Sequence, residues 1–506
     1  MIFKFATFVG KDGARRMILW IDGHAFHYEM ENLCRVFFPE EQIKTVHADE
    51  AGEPHVRTSL RREADGGCTV SCEALLGDAA YAAQETLAAD EAREDDECER
   101  RMAAVLFEAL SRATGYRPQW GILTGVRPSK LMNRLIDQSG EAEATAYFQN
   151  RLLVSPDKTA LALHVARAEK RIMDTSRPES CSLYLSIPFC PTRCSYCSFV
   201  SHSITASKAK KLLPRYVELL CEELALTGRI VAELGLRLET VYYGGGTPTT
   251  LEAEDLLRLH AAVREHFDLS TVREYTVEAG RPDTVTGERL EALKRMGATR
   301  ISINPQTFSD EVLAEIGRSH TAQCAEDAFL LARAHGFSNI NMDLIAGLPK
   351  DTPETFQKTL ERTVSLDPES VTVHTLALKR SSTLVTQQKR AGDASLTGDM
   401  LARAQRSLTV AGHFPYYMYR QSRCLGNLEN VGWCKPGHEG LYNVFMMEEC
   451  HTVLAAGAGA VTKLKAPRGE TIERIFNFKY PYEYNERFDL LMQRKERIKH
   501  FYAAYK

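Results

Sequence analysis

The sequence predicts an α/β protein whose middle is a parallel sheet with helical crossovers. Two observations carry this. Between residues 182 and 380, six short apolar or β-branched runs alternate with amphipathic stretches of helical length. The polar, proline-containing break "SRPES" (176–180) sets this region off from what precedes it, and from 381 the alternation fades. Strands that return through a helix must run parallel. Such a sheet is either doubly wound or curved into a barrel, and in both cases ligands gather at the carboxyl ends of the strands.

The elements follow in order. Residues 1–60 alternate like short strands, as does "CTVSCEAL" (68–75). The reading then turns helical through the acidic run at 90–115, "RPSKLMNRLIDQSG" and "SPDKTALALHVARAEKRI", where Ser155 is a candidate N-cap. Residues 1–175 are therefore expected to form an accessory α+β domain, its acidic run a solvated helix face. In 176–380 the predicted strands are 182–188, 238–244, 273–279, 298–304, 339–347 and 370–378. Helices are predicted near 207–235, 253–267, 284–296, 321–335 and 353–365, with Gly336 closing the fourth. Residues 381–506 hold a helix (396–411), the aromatic segment "HFPYYMYRQ", a Gly/Asn-rich stretch and a basic helical tail, expected as a C-terminal cover domain.

Composition excludes several classes of function. With 44% hydrophobic residues, 26% charged residues and a net charge of −4 over 506 residues, no basic excess attracts nucleic acid or an acidic membrane surface. No stretch approaches the roughly 18 uncharged apolar residues of a membrane span, and the N-terminus lacks the pattern of a signal peptide. Thirteen cysteines at irregular spacing fit reduced thiols. A cytoplasmic protein is expected.

One cluster stands apart. "CPTRCSYCSFV" places Cys190, Cys194 and Cys197 directly after the first predicted strand of the sheet. Three soft anionic ligands suit an iron–sulfur cluster or zinc. A structural zinc ion wants four ligands, for which His202 is available; three unrelated buried thiols are the remaining alternative. "GGGTP" (244–248) ends the second strand, where glycine allows close backbone approach to a ligand or simply turns the chain. Glu278, Gln306 and Asp343 fall at the ends of the third to fifth strands, and Arg318 follows the fourth with a guanidinium fork suited to a carboxylate.

The C-x3-C-x2-C spacing resembles that of the radical S-adenosylmethionine (SAM) superfamily. "YLSIPFCPTRCSYCSF", "YYGGGTPT", "YTVEAGRPD", "RISINPQTF", "IGRSH" and "NMDLIAGLPKDTPETF" resemble the oxygen-independent coproporphyrinogen III oxidase family in order and spacing across 182–380. The resemblance implies a partial (β/α)6 TIM-type barrel with a [4Fe-4S] cluster on Cys190, Cys194 and Cys197. Its fourth iron is left open for the amino and carboxylate groups of SAM. It also implies SAM contacts from Tyr184, Tyr196, Gly245, Gly246, Thr247, Glu278, Gln306, Arg318, Asp343 and Ala377.

Within that family, Phe199 replaces a further cysteine of the best-known members, and Gly426 stands where the heme-chaperone branch has a histidine. The accessory 1–175 segment with "RPQWGILTGVRPSKL", together with "VHTLALKRSS" and "YYMYRQ", resembles the HemZ-type coproporphyrinogen dehydrogenases. That likeness implies decarboxylation of propionates on a tetrapyrrole substrate, coproporphyrinogen III, with electrons from a donor such as flavodoxin or ferredoxin. Lys379, Arg380, Arg420 and Arg423 are candidate partners for the propionates, "FPYYMYRQ" for aromatic walls, and "AAGAGAV" (455–461) for a cofactor-side turn. A heme-binding chaperone and a radical enzyme for another tetrapyrrole are the alternatives.

Overall fold

The computed structural model describes residues 16–39, 41–47, 55–76, 79–197, 201–205, 207–379, 382–386, 393–421 and 424–505. Phe199, Arg380 and Arg423 lie outside these. The chain divides into two compact units, 1–164 with 419–429 and 165–418 with 430–506, beside the three segments expected.

In the first unit, five strands form a sheet in the order β2-β1-β3-β4-β5: β1 (Arg16–Asp22), β2 (Gln42–Val46), β3 (Val56–Arg62), β4 (Cys68–Leu76) and β5 (Ala79–Leu87). A helix, α1 (His27–Phe37), sits where only strands were expected. Its buried residues Met30, Leu33, Cys34 and Phe37 follow the three-to-four spacing of one helix face, which overrides the local alternation. The acidic run forms α2 (Asp95–Thr114), followed by α3 (Pro128–Ser139) and α4 (Glu141–Ala146). Helix α5 (Pro156–Met173) begins after Ser155, whose Oγ accepts from the Lys158 amide at 3.4 Å.

The second unit is built on an eleven-stranded sheet. Strands β6 (Ser180–Ile187), β9 (Arg237–Gly245), β10 (Glu274–Glu278), β11 (Arg300–Ser302), β12 (Ile340–Ala346) and β13 (Ser370–Thr375) lie side by side in chain order, all parallel. Two short strands between the first two of these, β7 (Phe189–Cys190) and β8 (His202–Ser203), pair with each other. Helices α6 (Ser207–Leu234), α7 (Ala253–His266), α8 (Gly287–Arg295), α9 (Asp310–Glu315), α10 (Ala322–Ala334) and α11 (Pro353–Leu366) fill the crossovers. A doubly wound sheet must reverse its strand order at a switch point. The six strands keep one order throughout, so the singly wound, barrel-type alternative holds for them.

Period-two alternation separates the two faces of the six strands. Leu183, Leu185, Val241, Tyr243, Val277, Ile301, Ile303 and Met342 are buried in the cluster formed with the helices. Each contributes roughly 1.5–3 kcal/mol by leaving water. The opposite face carries Ser182, Tyr184, Tyr242, Glu274, Glu278, Ser302, Asn304, Asn341 and Asp343. The polar face is the one available for chemistry.

Beyond α12 (Thr383–Thr386) and α13 (Ala394–Val410), the segment expected as a cover supplies five strands to this same sheet. β14 (Phe414–Arg420) and β15 (Glu429–Cys434) extend one edge, with β15 antiparallel to β13. After α14 (Leu441–Glu448), β16 (Thr452–Ala456) pairs in parallel with β6, followed by β17 (Val461–Lys465), β18 (Ile472–Phe476), α15 (Pro481–Glu486) and α16 (Phe488–Ala503). Tyr416 and Tyr417 in β14 are buried, and Gly432 leaves the room their rings occupy, so "FPYYMYRQ" reads as a packed strand.

Candidate cluster and cofactor site

The three cysteines follow β6 on a loop pinned from several directions. Ile204 donates its amide to Cys190 O at 3.0 Å, Ser195 donates to Ile316 O at 2.9 Å, and Leu384 donates to Ser195 O at 3.0 Å. Backbone anchors thus hold the loop independently of any ligand. Cys194 is buried, while Cys190 and Cys197 are partly exposed.

The Cys190 and Cys194 sulfurs receive donors. Thr247 Oγ1 donates to Cys190 Sγ at 3.4 Å and Arg281 Nη1 to Cys194 Sγ at 3.8 Å. Burial pushes the Cys190 thiol up, and Thr247 opposes it. Donors aimed at sulfur favour thiolate, the form that binds metal. Among the described residues no three Cys, His, Asp or Glu side chains converge on a single ion. A cubane makes no such demand, since each thiolate holds a different iron. The loop therefore fits a cluster with three cysteine ligands.

The glycines of "GGGTP" serve the protein's own backbone. A Cβ on Gly246 would meet Phe189 O at 2.6 Å and Ile187 O at 2.7 Å; one on Gly245, with φ +102°, would meet Ser186 Oγ at 2.9 Å. They let the end of β9 lie against the chain entering the cysteine loop. A Cβ on Gly244 would meet Tyr242, Glu278 and Tyr184 instead, so this third glycine borders the polar face.

Next to it is an aromatic and acidic group. Tyr242 stacks on Tyr442 with centroids 4.4 Å apart, and Tyr184 lies 6.1 Å from each. Tyr242 donates its hydroxyl to Glu278 at 2.5 Å. Burial raises the Glu278 carboxyl from its ordinary 4.5 to about 7, Asp343 adding to the rise and Tyr242 opposing it. Asp343 moves the other way. Burial disfavours its charge, but His374 at 3.6 Å and the Asn341 amide at 2.7 Å outweigh that and lower its pKa.

Arg318 is buried, its Nη1 donating to Asn304 O at 2.7 Å and its Nη2 to Tyr196 Oη at 3.2 Å. Only Nε lacks a partner among the described residues, so the guanidinium is already largely engaged. Gln306 adopts φ +68° while exchanging backbone hydrogen bonds with Asp343 and Ile345, and its buried Oε1 has no partner among the described residues. His320, also buried, has neither ring nitrogen bonded among the described residues; burial and then the Arg318 and Arg281 charges depress it to about 4, so it is neutral. Ala377 follows β13, its carbonyl accepting from the Lys379 amide.

The structure thus links Cys190 with Thr247, Arg318 with Tyr196, and Glu278 electrostatically with Asp343, all named from the sequence. Gly457 in "AAGAGAV", φ +97°, turns against the end of β6, where a Cβ would meet Ser186 O at 2.5 Å. Arg420 is buried in the first unit with its guanidinium 5.4 Å from the Trp120 ring, so it is not a surface charge. Sequence reasoning missed Tyr242, Tyr442, His374 and Arg281. Tyr242 had a signal, because it shares a strand face with Gly244; the other three depend on chain pairings that no local pattern encodes.

Comparison with known proteins agrees with this geometry. The radical SAM superfamily profile matches residues 184–363. The oxygen-independent coproporphyrinogen-III oxidase-like protein HemZ of Bacillus subtilis is 36% identical over 92% of this chain and 93% of its own. The heme chaperone HemW of Haemophilus influenzae is 31% identical over 60% of this chain and 75% of its own. The structure of Escherichia coli HemN, coproporphyrinogen III oxidase, superposes with a TM-score of 0.51 at 24% identity, covering 65% of this chain and 73% of that one. Members of the superfamily use a [4Fe-4S] cluster and SAM. The chain belongs to the radical SAM superfamily, in the family of oxygen-independent coproporphyrinogen III oxidase-like proteins that includes HemZ.

Proposed function

We propose that this chain is a coproporphyrinogen dehydrogenase, converting propionates of coproporphyrinogen III to vinyl groups and yielding protoporphyrinogen IX. The observation that carries the reading is the likeness to HemZ, which runs through nearly the whole chain, accessory segment included. The cluster and SAM, when bound, supply hydrogen-atom abstraction from a propionate side chain. Loss of carbon dioxide and of one electron, taken up by a one-electron acceptor, then leaves the vinyl group.

The chain's residues hold and orient. Cys190, Cys194 and Cys197 bind the cluster, with electrons from a donor of the flavodoxin or ferredoxin class. The Glu278 carboxyl and the Asp343 carboxylate offer acceptor oxygens suited to the hydroxyl and ammonium groups of SAM, and Tyr184, Tyr242 and Tyr442 present flat apolar surface beside them. Gly245, Gly246, Thr247, Gln306, Arg318, Tyr196 and Ala377 complete the assigned cofactor surroundings. Holding the reacting groups in line and excluding water is the protein's share of the catalysis.

A second reading, heme carriage, is favoured by the HemW relatives. Against it stands Gly426, a buried residue at φ +60° in a tight turn, where that branch has a histidine. Anaerobic incubation of reconstituted protein with SAM, reductant and coproporphyrinogen III separates the two. Loss of two carboxyl groups by mass, abolished in Cys194→Ser, is the expected result. Stoichiometric heme binding without decarboxylation would transfer the assignment to the carrier.

A further inference from the structure

Arg281, three residues beyond the end of β10, is used by none of the site assignments, yet its side chain is 3% exposed and every nitrogen is committed. Nε and Nη2 clamp the Asp283 carboxylate at 3.0 and 3.1 Å, and Nη2 also donates to Ser319 Oγ at 3.0 Å. Nη1 reaches the cysteine loop, donating to Thr192 Oγ1 at 3.0 Å and to Cys194 Sγ at 3.8 Å. Ser319 Oγ closes the ring by donating to Asp283 at 3.1 Å. The fork is fixed before any cluster arrives.

We propose that Arg281 tunes the electron affinity of the cluster through Cys194, and that Asp283 sets how much of its charge is felt. This rests on the assignment of Cys190, Cys194 and Cys197 as the cluster's ligands. Reduction adds one negative charge to the cluster, and cationic N–H donors on the ligand sulfur stabilise the reduced form most. The contact is buried, so little water screens it. The bidentate carboxylate has the opposite sign and pulls the affinity down. Arg281 is thus a positioning residue, acting on the cluster through a ligand, and the pair makes two opposed predictions.

The test is a one-electron potentiometric titration of the reconstituted full chain, followed by the paramagnetic signal of the reduced cluster. In Arg281→Gln the reduced-to-oxidised ratio at a given potential should fall about tenfold, which is about 59 mV for one electron. Arg281→Lys, which keeps the charge but not the planar fork, should fall between wild type and Gln. Asp283→Asn, which leaves Arg281 in place, should raise the ratio. A purely structural anchor predicts no such reversal of sign. The proposal is overturned if iron-replete Arg281→Gln titrates within twofold of wild type, or if the Gln and Asn variants shift the same way. Should Arg281→Gln fail to take up iron, Asp283→Asn decides alone, and an unshifted titration rejects the idea. Cys194→Ser retaining a full cluster would overturn the ligand assignment and this proposal together, a result the arginine variants cannot mimic.

Discussion

Two buried polar networks flank the strand β6, and they differ in how completely they are satisfied. Behind it, Glu223 and Lys495 form an ion pair at 2.8 Å with side chains 0% and 1% exposed. Glu223 also accepts from Gly457 N, Asn477 Nδ2 and Tyr484 Oη at 2.7–2.8 Å, and Lys495 donates to Ala455 O. Every side-chain nitrogen and oxygen of Glu223, Lys495 and Tyr484 has a partner among the described residues. Around the cysteine loop, by contrast, Ser195 Oγ, Ser302 Oγ, Gln306 Oε1, Arg318 Nε and both nitrogens of His320 are buried without partners among the described residues. Burial of charge alone therefore does not mark a site. The polar atoms around the cysteine loop differ in still having hydrogen-bonding capacity to offer a ligand.

Substitutions should separate the two networks. The largest effect is expected for Cys194→Ser, with the cluster and all SAM cleavage lost, read by iron content and 5′-deoxyadenosine release. Next comes Lys495→Met, which strands the Glu223 carboxylate and should cost about 3–5 kcal/mol in urea unfolding of the apoprotein. Adding Glu223→Gln should recover part of that loss; no recovery would mean the pair is not the coupled unit described here.

Glu278→Gln tests the site through pH. The folded protein keeps a proton on Glu278 up to about pH 7 that the unfolded chain releases near 4.5, so wild-type stability falls as pH rises through this window. The variant carries no such penalty. It should exceed wild type by about 1–3 kcal/mol above pH 7, the gap closing below pH 4.5. A constant gap at every pH would remove the titration from the explanation. The smallest change in stability is expected for Gln306→Met, under about 1 kcal/mol because no hydrogen bond of the side chain is broken. SAM affinity should nevertheless drop about tenfold by calorimetry, the loss of one polar contact.

The central strands and helices were legible because their patterns are local: "SLYLSIP" and "NINMDLIAG" agree with β6 and β12 to within two residues at each end. The cysteine motif was legible for the same reason. What escaped depends on distant pairing. "AAYAAQETL" is rich in a helix former but is held as β5 by nine residue pairs with β4. "TVLAA" became a strand only because β6 offers it an edge. Arg281 stood inside the quoted "YTVEAGRPD", but its partners Thr192, Cys194 and Ser319 come from two other loops. Chemistry that uses one loop can be read from one stretch of sequence, and tuning that uses three cannot.

The parallel pairing of β6 with β16 also constrains how the protein is made. The strand that leads into the cysteine loop runs from Ser180 to Ile187, and the one that completes its second edge begins only at Thr452. At ordinary translation rates the ribosome needs roughly 15–50 s to cover that distance. During this interval the nascent chain exposes an unpaired edge beside the three cysteines. The sheet that positions the cysteine loop can therefore close only once Thr452–Ala456 has been synthesised.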